Sequence, residues 1–276
     1  MTPLVIVLIA LVGGFLGGII GALTGLGGGI IVVPLLTLVL HMPITEAVGV
    51  SLFGVIAISV GAAPRFVGTG LTNLRVALFL QMAASAGALV GALVSHDIPA
   101  RALFLIFGLV MLYNAVTSFL PSRRSEGLKA SSPLAQRLKL AGRYQEGDDW
   151  VEYQVGSVLP AFGIMLGAGM LSALLGIGSG VFKVLAMDKL MRLPFKVSTA
   201  TSNFMIGITA ATSAGYYLSH GDVPPLVAAP VVLGTLGGAY LGGHWMKLLP
   251  VVTLRRVFAV VLMAVACEML YKGFVP

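Results

Sequence analysis

The chain has 276 residues, of which 58% are hydrophobic and only 10% are charged, and its mean hydropathy is +1.01. Soluble domains are about 45–50% apolar and about 25% charged, so this composition excludes an ordinary soluble enzyme, a disordered chain and a small secreted domain. The single cysteine, Cys267, excludes an internal disulfide and a cysteine-based metal site.

Ten largely uncharged segments follow one another along the chain, and one polar stretch, 121–155, separates the first five from the last five. A helix that crosses a bilayer needs about 20 mostly apolar residues. The second and seventh segments are too short to cross alone, and each follows a cluster of glycines. The segments are 3–24, 28–40, 45–64, 75–95, 102–120, 156–175, 180–191, 197–219, 225–246 and 255–272. The sequence therefore predicts an all-α polytopic membrane protein with glycine-broken helices.

The two halves form an internal repeat, because residues near 18–92 align without a gap to residues near 169–243 at an offset of 151. The matched residues include prolines, serines and phenylalanines as well as glycines. Examples are Gly25 and Gly176, Gly27 and Gly178, Pro43 and Pro194, Ser51 and Ser202, Phe53 and Phe204, and Gly87 and Gly238. We expect an N-terminal transmembrane repeat at 1–120, a linker at 121–155 with a surface helix near 136–144, and a C-terminal repeat at 156–276.

The distribution of lysine and arginine predicts the topology. If the chain reverses at each glycine cluster, each half has five segments and the halves are inverted relative to each other. Fourteen of the 17 basic residues then lie on the side of the 121–155 linker, which the positive-inside rule places in the cytoplasm, with both termini external. These loops account for the net charge of +7, so no nucleic-acid partner is required. Inverted repeats are typical of secondary transporters, which bind their substrate near the midplane.

The two glycine clusters are candidates for a substrate site. A broken helix at membrane depth leaves backbone groups unpaired unless the break lines protein or water, and amide groups at a helix start attract anions. The alternative is that glycine only lets helices approach closely. The candidate substrate-binding residues of the clusters are Gly25, Gly27, Gly28, Gly29, Gly176, Gly178, Ser179 and Gly180.

Lys183 is the one lysine or arginine that the segments place at membrane depth. Burying its charge in lipid costs several kcal/mol unless the ammonium is paired or faces water, and an anionic substrate would be a suitable partner. The alternative is that the side chain extends to an interface.

Polar residues after the proline turn of each repeat are further candidates, since hydroxyl and amide groups donate to oxyanions. The alternative for each is capping of the following helix. These residues are Ser51, Thr201, Ser202 and Asn203. Weaker candidates, which we interpret as polar contacts between helices, are Thr24, Gln81 and Thr209. Four histidines, His41, His96, His220 and His244, lie at expected loop ends without metal-ligand spacing.

The repeated motif resembles the sulfite exporter TauE/SafE family of membrane permeases. The first copy reads Gly25-Leu26-Gly27-Gly28-Gly29-Ile30-Ile31-Val32-Val33-Pro34, followed by Pro43 and Ser51. The second copy reads Gly176-Ile177-Gly178-Ser179-Gly180-Val181-Phe182-Lys183-Val184-Leu185, followed by Pro194, Thr201 and Ser202. Ser179 and Leu185 replace the usual glycine and proline. The resemblance implies export or uptake of small sulfur-containing or organic anions such as sulfite or sulfonates.

The sequence thus predicts a secondary transporter of a small anion, embedded as a multi-pass protein in a bilayer of the bacterial inner-membrane type. We expect no catalytic residues, no cofactor and no metal. An anion channel, or a membrane enzyme or maturation factor with a polar intramembrane cavity, is the alternative. The oligomeric state, a homo-oligomer included, is left open.

Overall fold

A computed structural model describes residues 2–25, 27–67, 70–119, 131–146, 149–248 and 251–274. Helices occupy each of the ten predicted segments, which confirms the all-α fold class of the membrane part. The helices are α1 (Pro3–Thr24), α2 (Gly29–Pro34), α3 (Ile44–Ala62), α4 (Pro64–Val67), α5 (Leu74–Val94), α6 (Ala100–Phe119), α7 (Pro133–Arg137), α8 (Val158–Leu175), α9 (Gly180–Leu185), α10 (Phe195–Ser219), α11 (Pro225–Leu248) and α12 (Val251–Phe274). π-helical turns, Leu35–Val39 and Ala186–Leu190, extend α2 and α9.

Five described helical stretches are long and apolar enough to cross a membrane: Pro3–Thr24, Ile44–Ala62, Leu74–Asp97, Val158–Leu175 and Pro225–Trp245. Their outward faces carry large apolar side chains. Leu78 and Met82 on α5, for example, are 60% and 69% exposed. Such surfaces suit lipid, so the chain is a multi-pass membrane protein.

The glycine breaks reverse the chain, as predicted. α1 ends at Gly25, whose φ of +70° is a left-handed conformation that favours glycine. α2 then folds back along α1, so that Gly17 packs against Gly28 and Gly13 packs against Leu35. In the second repeat, α9 and the π-helical turn after it form a short arm. The Gly156 amide donates to the Met191 carbonyl, at 2.8 Å, which places the start of α8 beside the end of this arm.

The sequence repeat is also a repeat of backbone conformation. Gly176 has a φ of +67°, matching Gly25, and the same offset relates His41 and Arg192, with φ of 54° and 55°. Both repeats place a π-helical turn after the short helix, although Leu185 stands where the first repeat has Pro34. Because the turn forms with either residue, proline is not its cause.

Equivalent helices of the two repeats run antiparallel, which confirms the inverted topology. Gly49, near the start of α3, packs against Asp222 beyond the end of α10, whereas Ser59, near the end of α3, donates to the Phe204 carbonyl in the first half of α10. α6 and α12 show the same arrangement, because Arg101 at the start of α6 donates to a carbonyl near the end of α12.

Glycine packing holds the repeats together at two equivalent crossings, α1 with α11 and α8 with α5. A Cβ atom at any of these glycines would collide with backbone of the facing helix. The reciprocal pairs are Gly18 with Thr235 and Gly169 with Ala84, and Gly238 with Phe15 and Gly87 with Leu166. At these positions the repeated glycines therefore serve close helix packing.

The described part of the linker contains α7 and a β-hairpin, β1 (Gly142–Glu146) paired antiparallel with β2 (Asp149–Tyr153). The expected helix near 136–144 is wrong, because α7 ends at Arg137 and strand pairing begins at Gly142. Across the hairpin the Arg143 guanidinium lies 4.9 Å from the Trp150 ring centroid, a cation–π contact that favours strand pairing. Burial raises the pKa of the Tyr153 phenol, and a hydrogen bond from Asn73 opposes this shift.

Candidate functional site

The two glycine breaks lie against each other in the interior of the bundle. A Cβ on Gly29 would collide with the Gly176 carbonyl, and one on Gly27 would collide with the Ile177 carbonyl. A Cβ on Gly178 would lie 2.8 Å from the Val55 side chain of α3. The structure therefore brings the breaks of both repeats to one place, between α3 and α10. Their part in binding stays a prediction.

Ser51 and Ser202 join the breaks to the opposite repeat. The Ser51 hydroxyl donates to the Gly176 carbonyl at 2.7 Å, and the Ser202 hydroxyl donates to the Gly25 carbonyl at 2.6 Å. These carbonyls end α8 and α1, where the helix supplies no further amide donor. The two serines are fully buried and their protons are engaged, so each retains only acceptor capacity.

Thr201 and Asn203 have different surroundings. The Thr201 hydroxyl oxygen accepts from the Asn73 backbone amide at 3.0 Å. The Asn203 side-chain nitrogen donates to the Ala22 carbonyl at 2.9 Å. The Asn203 side-chain oxygen has no hydrogen-bond partner, and the same holds for the buried Ser179 hydroxyl. Ser179 adopts a φ of +49°, the left-handed region where glycine is favoured.

Lys183 is completely buried and does not extend to an interface. Its ammonium nitrogen Nζ donates to the Thr209 hydroxyl at 2.5 Å and to the Gly178 carbonyl at 3.2 Å. An ammonium group has three donors and carries a full charge. Among the described residues, no carboxylate lies within ion-pair distance of this nitrogen. The hydroxyl and the carbonyl that accept from this nitrogen are neutral groups, and a protonated Lys183 keeps donor capacity for a further acceptor.

The partners of Lys183 continue into a polar cluster between α5 and α10. The Gln81 amide lies 3.1 Å from the Thr209 hydroxyl and 2.7 Å from the Ser85 hydroxyl. Sequence reasoning treated Gln81 and Thr209 only as contacts between helices and did not find Ser85. The four-residue spacing of Gln81 and Ser85 on one face of α5 was the available signal.

A second polar cluster lies at the end of the bundle opposite the linker. His96 Nε2 lies 2.8 Å from the Asp222 carboxylate, and the His220 ring stacks on His96 with centroids 4.9 Å apart. We expected loop histidines, because the four histidines lie at expected loop ends without metal-ligand spacing. The inverted topology, which places the ends of α5 and α10 together, was the signal for this cluster. In the described part of the chain, no group of three or more His, Cys, Asp or Glu side chains is placed to hold a metal ion.

Comparisons with known proteins agree on a family. Residues 10–269 match the family model described as sulfite exporter TauE/SafE. Two proteins of Bacillus subtilis (strain 168) are similar over most of both chains. Probable membrane transporter protein YunE is 27% identical over 94% of this chain and 96% of its own. Probable membrane transporter protein YdhB is 28% identical over 87% of this chain and 91% of its own.

A third relative matches a shorter region. Probable membrane transporter protein MamO of Paramagnetospirillum magneticum (strain ATCC 700264 / AMB-1) is 31% identical over 37% of this chain and 17% of its own. No solved structure matches significantly. The relatives thus support a membrane transporter along nearly the whole chain, and none of their names specifies a substrate.

Proposed function

The chain belongs to the sulfite exporter TauE/SafE family of membrane transporters, and we propose that it is a secondary transporter of a small sulfur-containing or organic anion, such as sulfite or a sulfonate. The anion binds where the two glycine breaks meet. Lys183 supplies the opposite charge.

The burial of the Lys183 side chain among neutral partners is the observation that carries this proposal. A charge at membrane depth costs several kcal/mol, and neutral hydrogen bonds offset only part of that cost. An arriving anion would neutralise the charge and accept the remaining ammonium donor. Since such a charge-assisted contact contributes about 1.5–3 kcal/mol, it is enough to select an anion over a neutral solute.

Unpartnered polar groups around the same breaks support the proposal. The Ser179 hydroxyl, one helical turn before Lys183 on the same arm, is buried and free to donate. We also assign the Asn203 side-chain nitrogen and the Thr201 hydroxyl to the proposed site as donors, since the unpartnered Asn203 oxygen is an acceptor and would repel an anion. At Gly25, Gly27, Gly28, Gly29, Gly176 and Gly178 a side chain would crowd neighbouring atoms, so these glycines, to which we add Gly180, let the breaks pack closely around the proposed site. Ser51 and Ser202 act as positioning residues, since their protons already hold backbone carbonyls.

The burial of Lys183 favours a transporter over an anion channel. A channel needs a continuous aqueous path, whereas this ammonium has 0% exposure and is closed off from both ends of the bundle. Alternating access between inverted repeats would open the site to one side at a time.

Uptake into proteoliposomes tests the proposal. Radiolabelled sulfite and methanesulfonate should accumulate with the wild-type protein, and Lys183→Ala should weaken apparent affinity about ten- to a hundredfold, the equivalent of about 1.5–3 kcal/mol. Lys183→Arg should recover part of this loss, because it restores the charge with a different shape. Lys189→Ala, which removes an exposed lysine from the same short arm, is the control and should leave uptake unchanged. Unchanged affinity in Lys183→Ala would overturn the proposed role of Lys183.

A further inference from the structure

The inverted repeat gives the polar cluster around Lys183 an internal control. The contact between α5 and α10, with Lys183 beside it, is here called the polar seam. At the offset of 151 it is equivalent to the contact between α11 and α3, here called the apolar seam. Five polar residues of the polar seam are replaced in the apolar seam by an apolar residue or glycine, although the apolar seam also holds Thr235, whose hydroxyl donates within its own helix. The equivalent pairs are Lys183 and Val32, Thr209 and Ile58, Gln81 and Val232, Ser85 and Leu236, and Thr212 and Gly61.

Both seams pack equivalent positions against each other. In the polar seam the Thr212 hydroxyl lies 3.4 Å from the Ser85 hydroxyl. In the apolar seam a Cβ on Gly61 would lie 3.4 Å from the Leu236 side chain and 3.2 Å from its carbonyl. Because the same crossing forms with apolar residues, the polar side chains are not required to pack these helices.

Keeping polar side chains in a membrane seam carries a cost. Each buried polar group must find a partner, and apolar residues of similar size are often neutral or stabilising in such places. The polar seam nevertheless forms a connected set, from the Lys183 ammonium through Thr209 and Gln81 to Ser85. Ser85 and Thr212 are only half-buried, so the set extends from the fully buried ammonium to the surface of the bundle.

The polar seam points toward the end of the bundle opposite the linker. Tyr216 and His220 follow Thr212 at four-residue intervals on α10, and the Tyr216 and His220 rings lie 4.1 Å apart. His220 stacks on His96, and His96 Nε2 lies 2.8 Å from the Asp222 carboxylate. Polar and aromatic groups thus continue from Lys183 to the outer end of α5 and α10.

We propose that the polar seam takes up water when the site opens toward the end opposite the linker, and that the anion then travels along it to and from Lys183, while the apolar seam stays dry. The ligand class is a small singly charged oxyanion that hydroxyl and amide groups can solvate along the way. The identity of the transported anion rests on the proposed function. The difference in water access between the two seams does not depend on it.

Cysteine labelling at one matched pair of positions tests the route. Ser85→Cys and Leu236→Cys, each made in a Cys267→Ser background, place a thiol at equivalent depths of the two seams. The reagent is 2-sulfonatoethyl methanethiosulfonate, a sulfonate that reacts with ionised thiols in water and poorly in lipid. It is applied to membranes open to it from both faces, with methanesulfonate as the unreactive competitor. Transport of methanesulfonate by the wild-type protein is measured in parallel.

We expect Ser85→Cys to react several-fold faster than Leu236→Cys, and methanesulfonate to slow the reaction of Ser85→Cys alone. Equal reaction rates at the two positions would overturn the route, whatever the cargo. Faster labelling that methanesulfonate does not slow, in a protein that transports methanesulfonate, would also overturn it as the path of the anion. If the wild type transports none of the oxyanions, the proposed function fails, and that result is separate from the labelling. Thr212→Cys and Gly61→Cys give the same comparison if Ser85→Cys does not fold.

Discussion

Ser51 and Ser202 occupy equivalent positions in the two repeats, and each hydroxyl donates to the carbonyl of the glycine that ends the first helix of the other repeat. Each repeat thereby completes the helix ending of its partner. The breaks at Gly25 and Gly176 are consequently part of the interface between the repeats. A displacement of one repeat against the other must change both hydrogen bonds.

This reciprocity predicts similar effects for two single substitutions. Ser51→Ala and Ser202→Ala should each lower the free energy of unfolding by about 1 kcal/mol, because each leaves a buried carbonyl without its donor. Unfolding in mixed micelles measures the change. Ser219→Ala, which removes an exposed hydroxyl that donates to the Tyr216 carbonyl, is the control and should change stability by less than about 0.5 kcal/mol. No loss in either buried variant would contradict the assigned roles.

The repeat in the sequence was enough to predict much of the backbone. Matching Gly25 with Gly176 and Pro43 with Pro194 located the breaks and the turns, because left-handed φ and proline geometry are local requirements that the chain itself specifies. The number and order of segments followed from hydropathy, and their inversion followed from the positions of lysine and arginine.

Contacts between the repeats could not be predicted in the same way. The sequence identified Lys183 because charge at membrane depth is rare, but its partner Thr209 was assigned only by the packing of α9 against α10, and Gln81 reaches Thr209 only through the packing of α5 on α10. The sequence identified Ser51 as a candidate anion donor, whereas in the structure its hydroxyl donates to the Gly176 carbonyl. The linker hairpin was missed because two five-residue strands give a weak periodic signal.

The predicted orientation has a direct test. The Arg75 guanidinium donates to the Lys139 carbonyl, so the start of α5 and the linker lie at one end of the bundle, the end that collects the basic residues. By the positive-inside rule, Arg137→Cys on exposed α7 should react with an impermeant thiol reagent only from the cytoplasmic side. His41→Cys, exposed at the opposite end, should react only from outside. Labelling of position 137 from outside intact cells would contradict the predicted topology.

A substitution at the first break should change the melting temperature in the opposite direction to a substitution on an open helix face. Gly27 has a φ of +85°, and a Cβ there would meet the Ile177 carbonyl, so Gly27→Ala should lower the melting temperature and reduce transport. The left-handed conformation alone costs about 1–2 kcal/mol for a residue with a side chain. At Gly163 on α8 an added Cβ would have no atom of another element within 4 Å. Gly163→Ala should therefore be neutral or stabilising by up to about 1 kcal/mol. Equal melting temperatures for the two variants would show that the break tolerates a side chain.

The Asn73 side chain holds the linker onto α5, and this contact predicts a local effect. Its amide nitrogen donates to the Leu140 carbonyl and the Tyr153 hydroxyl, while its oxygen caps α5 by accepting from the Val76 amide. Asn73→Asp keeps the cap but loses both amide donors. We expect faster proteolysis within residues 131–157 of this variant and little change in the rest of the chain. Asn73→Ala, which also removes the cap, should in addition destabilise the protein by about 1 kcal/mol.

Lys183→Met separates a ligand-binding lysine from a structural one, because the two roles predict opposite signs. Methionine has a similar length and no charge, so it removes a buried ion while filling its space. Replacing buried ions by apolar groups is often neutral or stabilising by about 1–4 kcal/mol, whereas the lost bonds to Thr209 and Gly178 cost about 1 kcal/mol each. Without anion, we therefore expect a melting temperature equal to or above that of the wild type.

Addition of methanesulfonate should reverse this order. A ligand that binds only the folded protein stabilises it by about 2.7 kcal/mol at a hundred times its Kd, and only a protein that retains the ammonium should gain this. Val32→Met, the same side chain at the equivalent position of the first repeat, should keep the full ligand-dependent shift whatever its own packing costs. A destabilised Lys183→Met that still responds to methanesulfonate as the wild type does would make Lys183 a structural residue, because the anion would then be bound without its charge.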